Sequence, residues 1–304
     1  MSSRRTGVRI SRRAKWAIAA TAVVAVCGGV TFGLNREDVQ PAAPSGCLAI
    51  DGCFPKPPGG GRGAAGIPAT TVLAPCGGNT TLEVADAIID GCEYQGSLII
   101  AADNITIRNS RIHGSVRTQG DESNYRFTLE RSEIGPERGC GDYDSLIGVR
   151  NFVARGNYVH SNSDAFRVSG DDVVIEDNFV ELCDVPGDHS DGVQGLHGGE
   201  NVLVHHNTID QSKAKHGPNA AVFFADESRS ASVTDNLLIS PTFAIKLSDD
   251  FTPDAGPWVV TGNRMVGDAA TVGTDCSTTT WSDNRAVTVS PDYEVESTGD
   301  ALDC

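Results

Sequence analysis

At 304 residues the chain can form one large domain or two ordinary ones, and its 39% hydrophobic content is that of a globular protein. Aromatic residues and Met are few and Gly numbers 34, which favours a turn-rich, all-β architecture over a helical one. A formal charge of −16 argues against nucleic acid and anionic membrane surfaces as partners.

Residues 1–35 begin with six basic residues (Arg4, Arg5, Arg9, Arg12, Arg13, Lys15), followed by an uncharged, mostly apolar run from Trp16 to Leu34. This pattern predicts an export segment with its basic end in the cytoplasm. The 19-residue run is long enough to span a bilayer, so a signal peptide and a retained anchor, secreted or envelope-bound, are both open. Without residues 1–35 the remainder holds 18 Lys+Arg against 40 Asp+Glu, a charge of −22. A polyanionic substrate would need a bridging cation such as calcium to approach such a surface. Residues 36–68 are rich in Pro and Gly ("QPAAPSG", "CFPKPPGGGRGAAGIP") and predict an extended or flexible tether, with the folded domain over 69–304.

Eight cysteines follow Cys27, and an even number in an exported chain predicts disulfides. Spacing leaves the connectivity open among many pairings, of which pairing of neighbours in sequence is the expectation taken: Cys47 with Cys53, Cys76 with Cys92, Cys140 with Cys183, Cys276 with Cys304.

From Ile105 onward one pattern recurs: apolar, any, apolar, any, any, Asn or Ser, any, apolar. It reads "ITIRNSRI" (105–112), "FTLERSEI" (127–134), "FVARGNYV" (152–159), "VVIEDNFV" (173–180), "VLVHHNTI" (202–209), "ASVTDNLL" (231–238) and "WVVTGNRM" (258–265), with a degraded copy, "TTWSDNRA" (279–286). Its polar positions, Ser110, Ser132, Asn157, Asn178, Asn207, Asn236, Asn263 and Asn284, recur every 21 to 29 residues, the period of a solenoid. Each copy holds two short strands separated by a two-residue corner, and stacking would align the polar side chains in an internal ladder. The predicted fold is all-β: a single-stranded right-handed parallel β-helix with an Asn/Ser ladder, expected as a monomer.

With these repeats the chain resembles the bacterial exported right-handed parallel β-helix proteins of the pectate-lyase-like superfamily, over roughly residues 69 to 290. The resemblance implies a polysaccharide or surface glycan as partner. It leaves open whether the chain is a lyase, a hydrolase or a non-catalytic surface protein.

Four later strands carry the candidate site: "SDAFRVS" (163–169), "SDGVQGL" (190–196), "NAAVFFA" (219–225) and "TFAIKLS" (242–248). With Phe166, Val193, Val222 and Ile245 pointing inward, alternation turns their neighbours outward. Ala165, Gly192, Ala221 and Ala244 would then form the low floor of a groove, flanked by Arg167, Gln194, Phe223 and Lys246. Asp164 and Asp191 occupy equivalent places on adjacent rungs, roughly 5 Å apart, where two carboxylates raise a pKa, bind a cation or cap turn amides. Five of the seven histidines fall between 189 and 216; His205 and His206, at a corner, are expected as solvated turn residues, and His189 and His216 lie in loops before the groove strands.

The leading expectation is a polysaccharide lyase acting on an acidic polymer by β-elimination, which requires a base for the C5 proton and positive charge for the enolate-like intermediate. Lys246 or His189 would be the base, Arg167 the charge stabiliser, Asp164 and Asp191 calcium ligands, and Gln194, His216 and Phe223 substrate contacts. The alternatives are a non-catalytic glycan-binding or structural surface protein, and a polygalacturonase-type glycoside hydrolase. The second rests on the similarity of "NSDAF" (162–166) and "HSDGV" (189–193) to that family's Asn-Thr-Asp-Gly signature, although the next rung reads "PNAAV" (218–222).

Overall fold

Each copy of the repeat folds as two short strands meeting at a corner, as in Phe152–Arg155 followed by Tyr158–His160, and Val202–His205 followed by Thr208–Asp210. The computed structural model describes residues 47–49, 52–120, 123–196, 199–226, 228–247, 256–266, 271–273 and 277–304. The export segment, His197 and the expected bond of Cys276 to Cys304 lie outside them. Among the described residues no helix is long and apolar enough to cross a membrane.

The first strands of successive copies stack into a nine-stranded parallel sheet, and the second strands into an eleven-stranded sheet whose last pair, Arg285–Val289 with Val295–Ala301, is antiparallel. A third sheet of nine strands contains the four later strands, seen as Phe166–Val168, Ser190–Leu196, Pro218–Asp226 and Phe243–Leu247. The chain therefore winds through three parallel sheets per coil, the predicted solenoid. Aliphatic and aromatic residues fill the interior, with Phe127 stacked on Phe152 (5.5 Å between ring centres) and Phe152 on Phe166 (6.4 Å).

All eight ladder positions are fully buried. The Nδ2 groups of Asn157, Asn178, Asn207, Asn236 and Asn263 each donate to Oδ1 of the Asn on the following coil, at 2.9–3.0 Å. The same Oδ1 atoms accept a main-chain N–H from the preceding coil, as Asn207 does from Asn178 at 3.0 Å. Losing one such amide would strand several buried partners at about 1–3 kcal/mol each. The residue just before the ladder position takes a left-handed conformation, with φ between 44° and 73° at Asn109, Arg131, Gly156, Asp177, His206, Asp235, Gly262 and Asp283. Asn, Asp and Gly suit that conformation, which explains their frequency there.

Disulfides join Cys47 to Cys53, Cys76 to Cys92 and Cys140 to Cys183, as expected, and fit an oxidising compartment.

In place of a free tether, residues 52–68 form a strap along the outer face of the eleven-stranded sheet. Phe54 is fully buried against Leu237, Ile239, Val266, Val287 and Tyr293. Thr208 Oγ1 donates to the Pro55 carbonyl at 2.6 Å, the Gly66 N–H donates to the Gly156 carbonyl at 2.8 Å, and Lys56 pairs with Glu294 of the C-terminal hairpin. Composition had suggested that this segment buries little, but one aromatic residue and a few main-chain bonds are enough to dock it.

His206 is the other correction on this face. It is 4% exposed rather than solvated, and its two ring nitrogens meet Asp177 Oδ1 and the Cys53 carbonyl (3.0 Å). Two acceptors on one imidazole demand two N–H donors, hence the cation. Burial works against the charge, but the Asp177 and Cys53 bonds outweigh it and raise the pKa.

Candidate functional site

The register of the third sheet aligns Arg167, Gln194, Phe223 and Lys246 on consecutive strands, and Phe166, Val193, Val222 and Ile245 beneath them in the core. The outer column is a real strip along the coil axis, with neighbours roughly 4.8 Å apart. Arg167 Nη2 donates to Gln194 Oε1 at 3.0 Å and lies 3.8 Å from Asp164 Oδ2. The Lys246 ammonium sits 5.0 Å from the centre of the Phe223 ring and 5.7 Å from that of Phe243. Phe223 is consequently only 7% exposed, so a ligand would meet Lys246 and Gln194 before it met the ring face.

The expected groove floor is not there. Ala165, Ala221 and Ala244 belong to the core, and a Cβ on Gly192 would come within 2.5 Å of Ile209 Cγ2 and 2.3 Å of the Ala221 carbonyl oxygen. Ala244 lies within the Phe243–Leu247 strand, whose register shifts between Phe243 and Ile245, so the two successive residues Ala244 and Ile245 are both buried and strict alternation fails. The same register shift places Phe243 outside with Phe223, a residue that alternation from Ile245 assigns to the interior.

Asp164 and Asp191 form a short ladder of their own. Asp164 Oδ1 accepts the Asp191 N–H at 2.9 Å, and Asp191 Oδ1 accepts the Ala220 N–H at 3.1 Å, with Asn219 Nδ2 3.4 Å from Asp191 Oδ2. Each carboxylate therefore caps a main-chain amide of the next coil. Asp164 is 7% exposed, and burial, followed by the charges of Asp191 and Asp188, pushes its pKa up to about 7 against the opposing pull of the Asp191 amide and Arg167. The pair does not fit calcium, which takes six to eight oxygen ligands. One oxygen of each is already committed, Asp164 faces a guanidinium, and among the described residues no three acidic, His or Cys side chains cluster.

His189 and His216 stay on exposed loops. His216 Nδ1 lies 3.1 Å from Asp184 Oδ1. Asp184, which the sequence did not single out, accepts the main-chain N–H groups of Lys215, His216 and Gly217. Burial alone would raise its pKa, but these bonds hold it at about 2. It fixes the loop before the Pro218–Asp226 strand, and no spacing rule in the sequence pointed to it.

The arrangement thus brings Asp164, Arg167 and Gln194 together, places Phe223, Phe243 and Lys246 further along the same strip, and leaves His189 and His216 beside it. A family model described as "Right handed beta helix region" matches residues 73–252, more than half of the chain. No curated protein and no solved structure is a match for this chain.

Proposed function

Because the chain belongs to the right-handed β-helix family, a fold whose long outer faces suit extended partners, we propose that it is an exported carbohydrate-active protein that lays an acidic polysaccharide along Arg167, Gln194 and Lys246 and cleaves it by β-elimination. The observation that carries this reading is Arg167, which bonds Gln194 on the next rung and stands 3.8 Å from a carboxyl whose pKa is about 7.

A carboxyl poised near neutrality serves proton transfer better than an ordinary aspartate. Asp164 takes the C5 proton of a uronate, a C4=C5 double bond forms as the C4–O bond breaks, and the departing oxygen recovers the proton from the Asp164 acid. The Arg167 cation pairs with the sugar carboxylate and stabilises the charge that develops on it. Lys246 acts here as an anion-binding group three strands away rather than as the base. Asp191 is 1% exposed and has no open face for the second carboxylate of a hydrolase.

A non-catalytic glycan-binding role is the second reading, favoured by the amide-capping bonds of both carboxylates. The test incubates the full chain with a panel of polyuronates and neutral glycans, following ultraviolet absorbance of an unsaturated product, reducing ends and binding. Elimination should yield both absorbance and reducing ends, and Asp164→Asn should abolish both while keeping the binding. Binding without any cleavage would move the protein to the second reading, and reducing ends without absorbance would establish hydrolysis.

A further inference from the structure

Between the strap and the corners of the first-strand sheet lies a cavity of about 780 Å³, within the usual range for small-molecule sites. Its walls are largely apolar, with Pro55, Ala65, Ile67 and Pro68 contributed by the strap. Its floor carries five charged side chains from the coil: Glu130, Arg131, Arg155, Glu176 and Asp177.

Three of the five are already paired. Arg155 Nε donates to Glu176 Oε2 at 2.8 Å, and Asp177 holds the His206 cation. Arg131 spends its Nε on Asn109 Oδ1 at 3.1 Å, and its guanidinium meets no carboxylate among the described residues. Glu130 is 4% exposed, and its carboxylate makes no hydrogen bond or ion pair among the described residues. Its register neighbours, Arg108 and Arg155, are each engaged elsewhere, Arg108 with Asp90 at 2.9 Å and Arg155 with Glu176.

A carboxylate that meets no donor and whose oxygens open onto the cavity marks a place where a partner can sit. A metal ion is a poor occupant, since the other two acids of the floor are committed and no three ligating side chains cluster there. What remains is a site with one unmatched negative group and one unmatched positive group on adjacent residues, under apolar walls. Charge-assisted bonds to both would be about twice as strong as neutral ones in such surroundings.

We propose that this cavity binds a small zwitterion with an apolar body, of the chemical class of an aliphatic α-amino acid, its ammonium on Glu130, its carboxylate on Arg131 and its side chain against Ile67 and Pro68. None of these residues belongs to the glycan strip, so the site stands independently of the function proposed above.

The test titrates the full chain with L-leucine, isoamylamine and 4-methylpentanoate by ligand-observed NMR. The last two keep the apolar body and remove one charge each. Leucine should bind at least tenfold more tightly than either. Glu130→Gln should weaken leucine and isoamylamine at least tenfold and spare 4-methylpentanoate. Arg131→Asn, which tolerates the left-handed backbone at that corner, should weaken leucine and 4-methylpentanoate and spare isoamylamine. Equal binding of the three probes to the unmodified chain, or no binding of any, overturns the proposal without reference to the variants; leucine affinity unchanged in both variants overturns it as well.

Discussion

Two outer faces of the same coil have met different fates. On the third sheet, the column from Arg167 to Lys246 runs along the outside of the coil, with Arg167 bonded to Gln194 on the next rung and Lys246 over the Phe223 ring. On the eleven-stranded sheet the chain's own strap and C-terminal hairpin cover the surface, burying Phe54 and the His206 cation. The contrast teaches that a β-helix specifies its interior through the repeat but leaves each outer face to be assigned by whatever reaches it. An open face keeps its polar groups for a partner in solution, whereas a covered one satisfies them with its own chain.

The sharpest way to break this contrast is to uncover the second face. Phe54→Ala should cost about 3–5 kcal/mol of strap docking. Hydrogen exchange should then report loss of protection over residues 53–66, with the ladder amides still protected; unchanged exchange would mean that the strap is held by something other than Phe54.

His206 comes next. Removing its ring leaves the Cys53 carbonyl and Asp177 without a donor, at about 1–3 kcal/mol. Its pKa in the folded protein is raised, so its contribution is complete below the ordinary imidazole value and is lost as pH rises through the folded one. Melting temperatures across the neutral and mildly alkaline range should fall more steeply for the unmodified protein than for His206→Gln, and parallel curves would refute the clamp.

On the open face the effects should appear in binding rather than in stability. Arg167→Ala is expected to weaken polyuronate affinity about tenfold, or about 1.4 kcal/mol, with little change in melting temperature. A large drop in melting temperature would make Arg167 a structural residue like His206. Lys246→Ala should be the mildest, since a solvent-screened ion pair between a partly exposed Lys and a sugar carboxylate is worth about 0.2–1 kcal/mol. Affinity measured at low and high salt should show a shallower salt dependence in this variant than in the unmodified chain.

Much of this was readable in advance because stacking imposes a period. Ser110 to Asn284 declared the ladder, and choosing Phe166, Val193, Val222 and Ile245 as inward residues correctly placed Arg167, Gln194, Phe223 and Lys246 outside. The groove floor does not follow from alternation because alternation holds only within a regular strand, and the register shifts between Phe243 and Ile245. Phe243 was missed for the same reason. The capping role of Asp164 and Asp191 was among the readings weighed, but the pKa of Asp164 depends on burial that no spacing conveys.

By itself the sequence determined the coil, its ladder and its two-residue corners, because each of these depends on residues that recur at a fixed interval. Only the tertiary structure decided which outer face is covered, where His206 finds its second acceptor 153 residues away, and which carboxylates remain without a partner. These outcomes follow from long-range docking of a segment outside the repeat, and a contact between non-repeating stretches leaves no period to read.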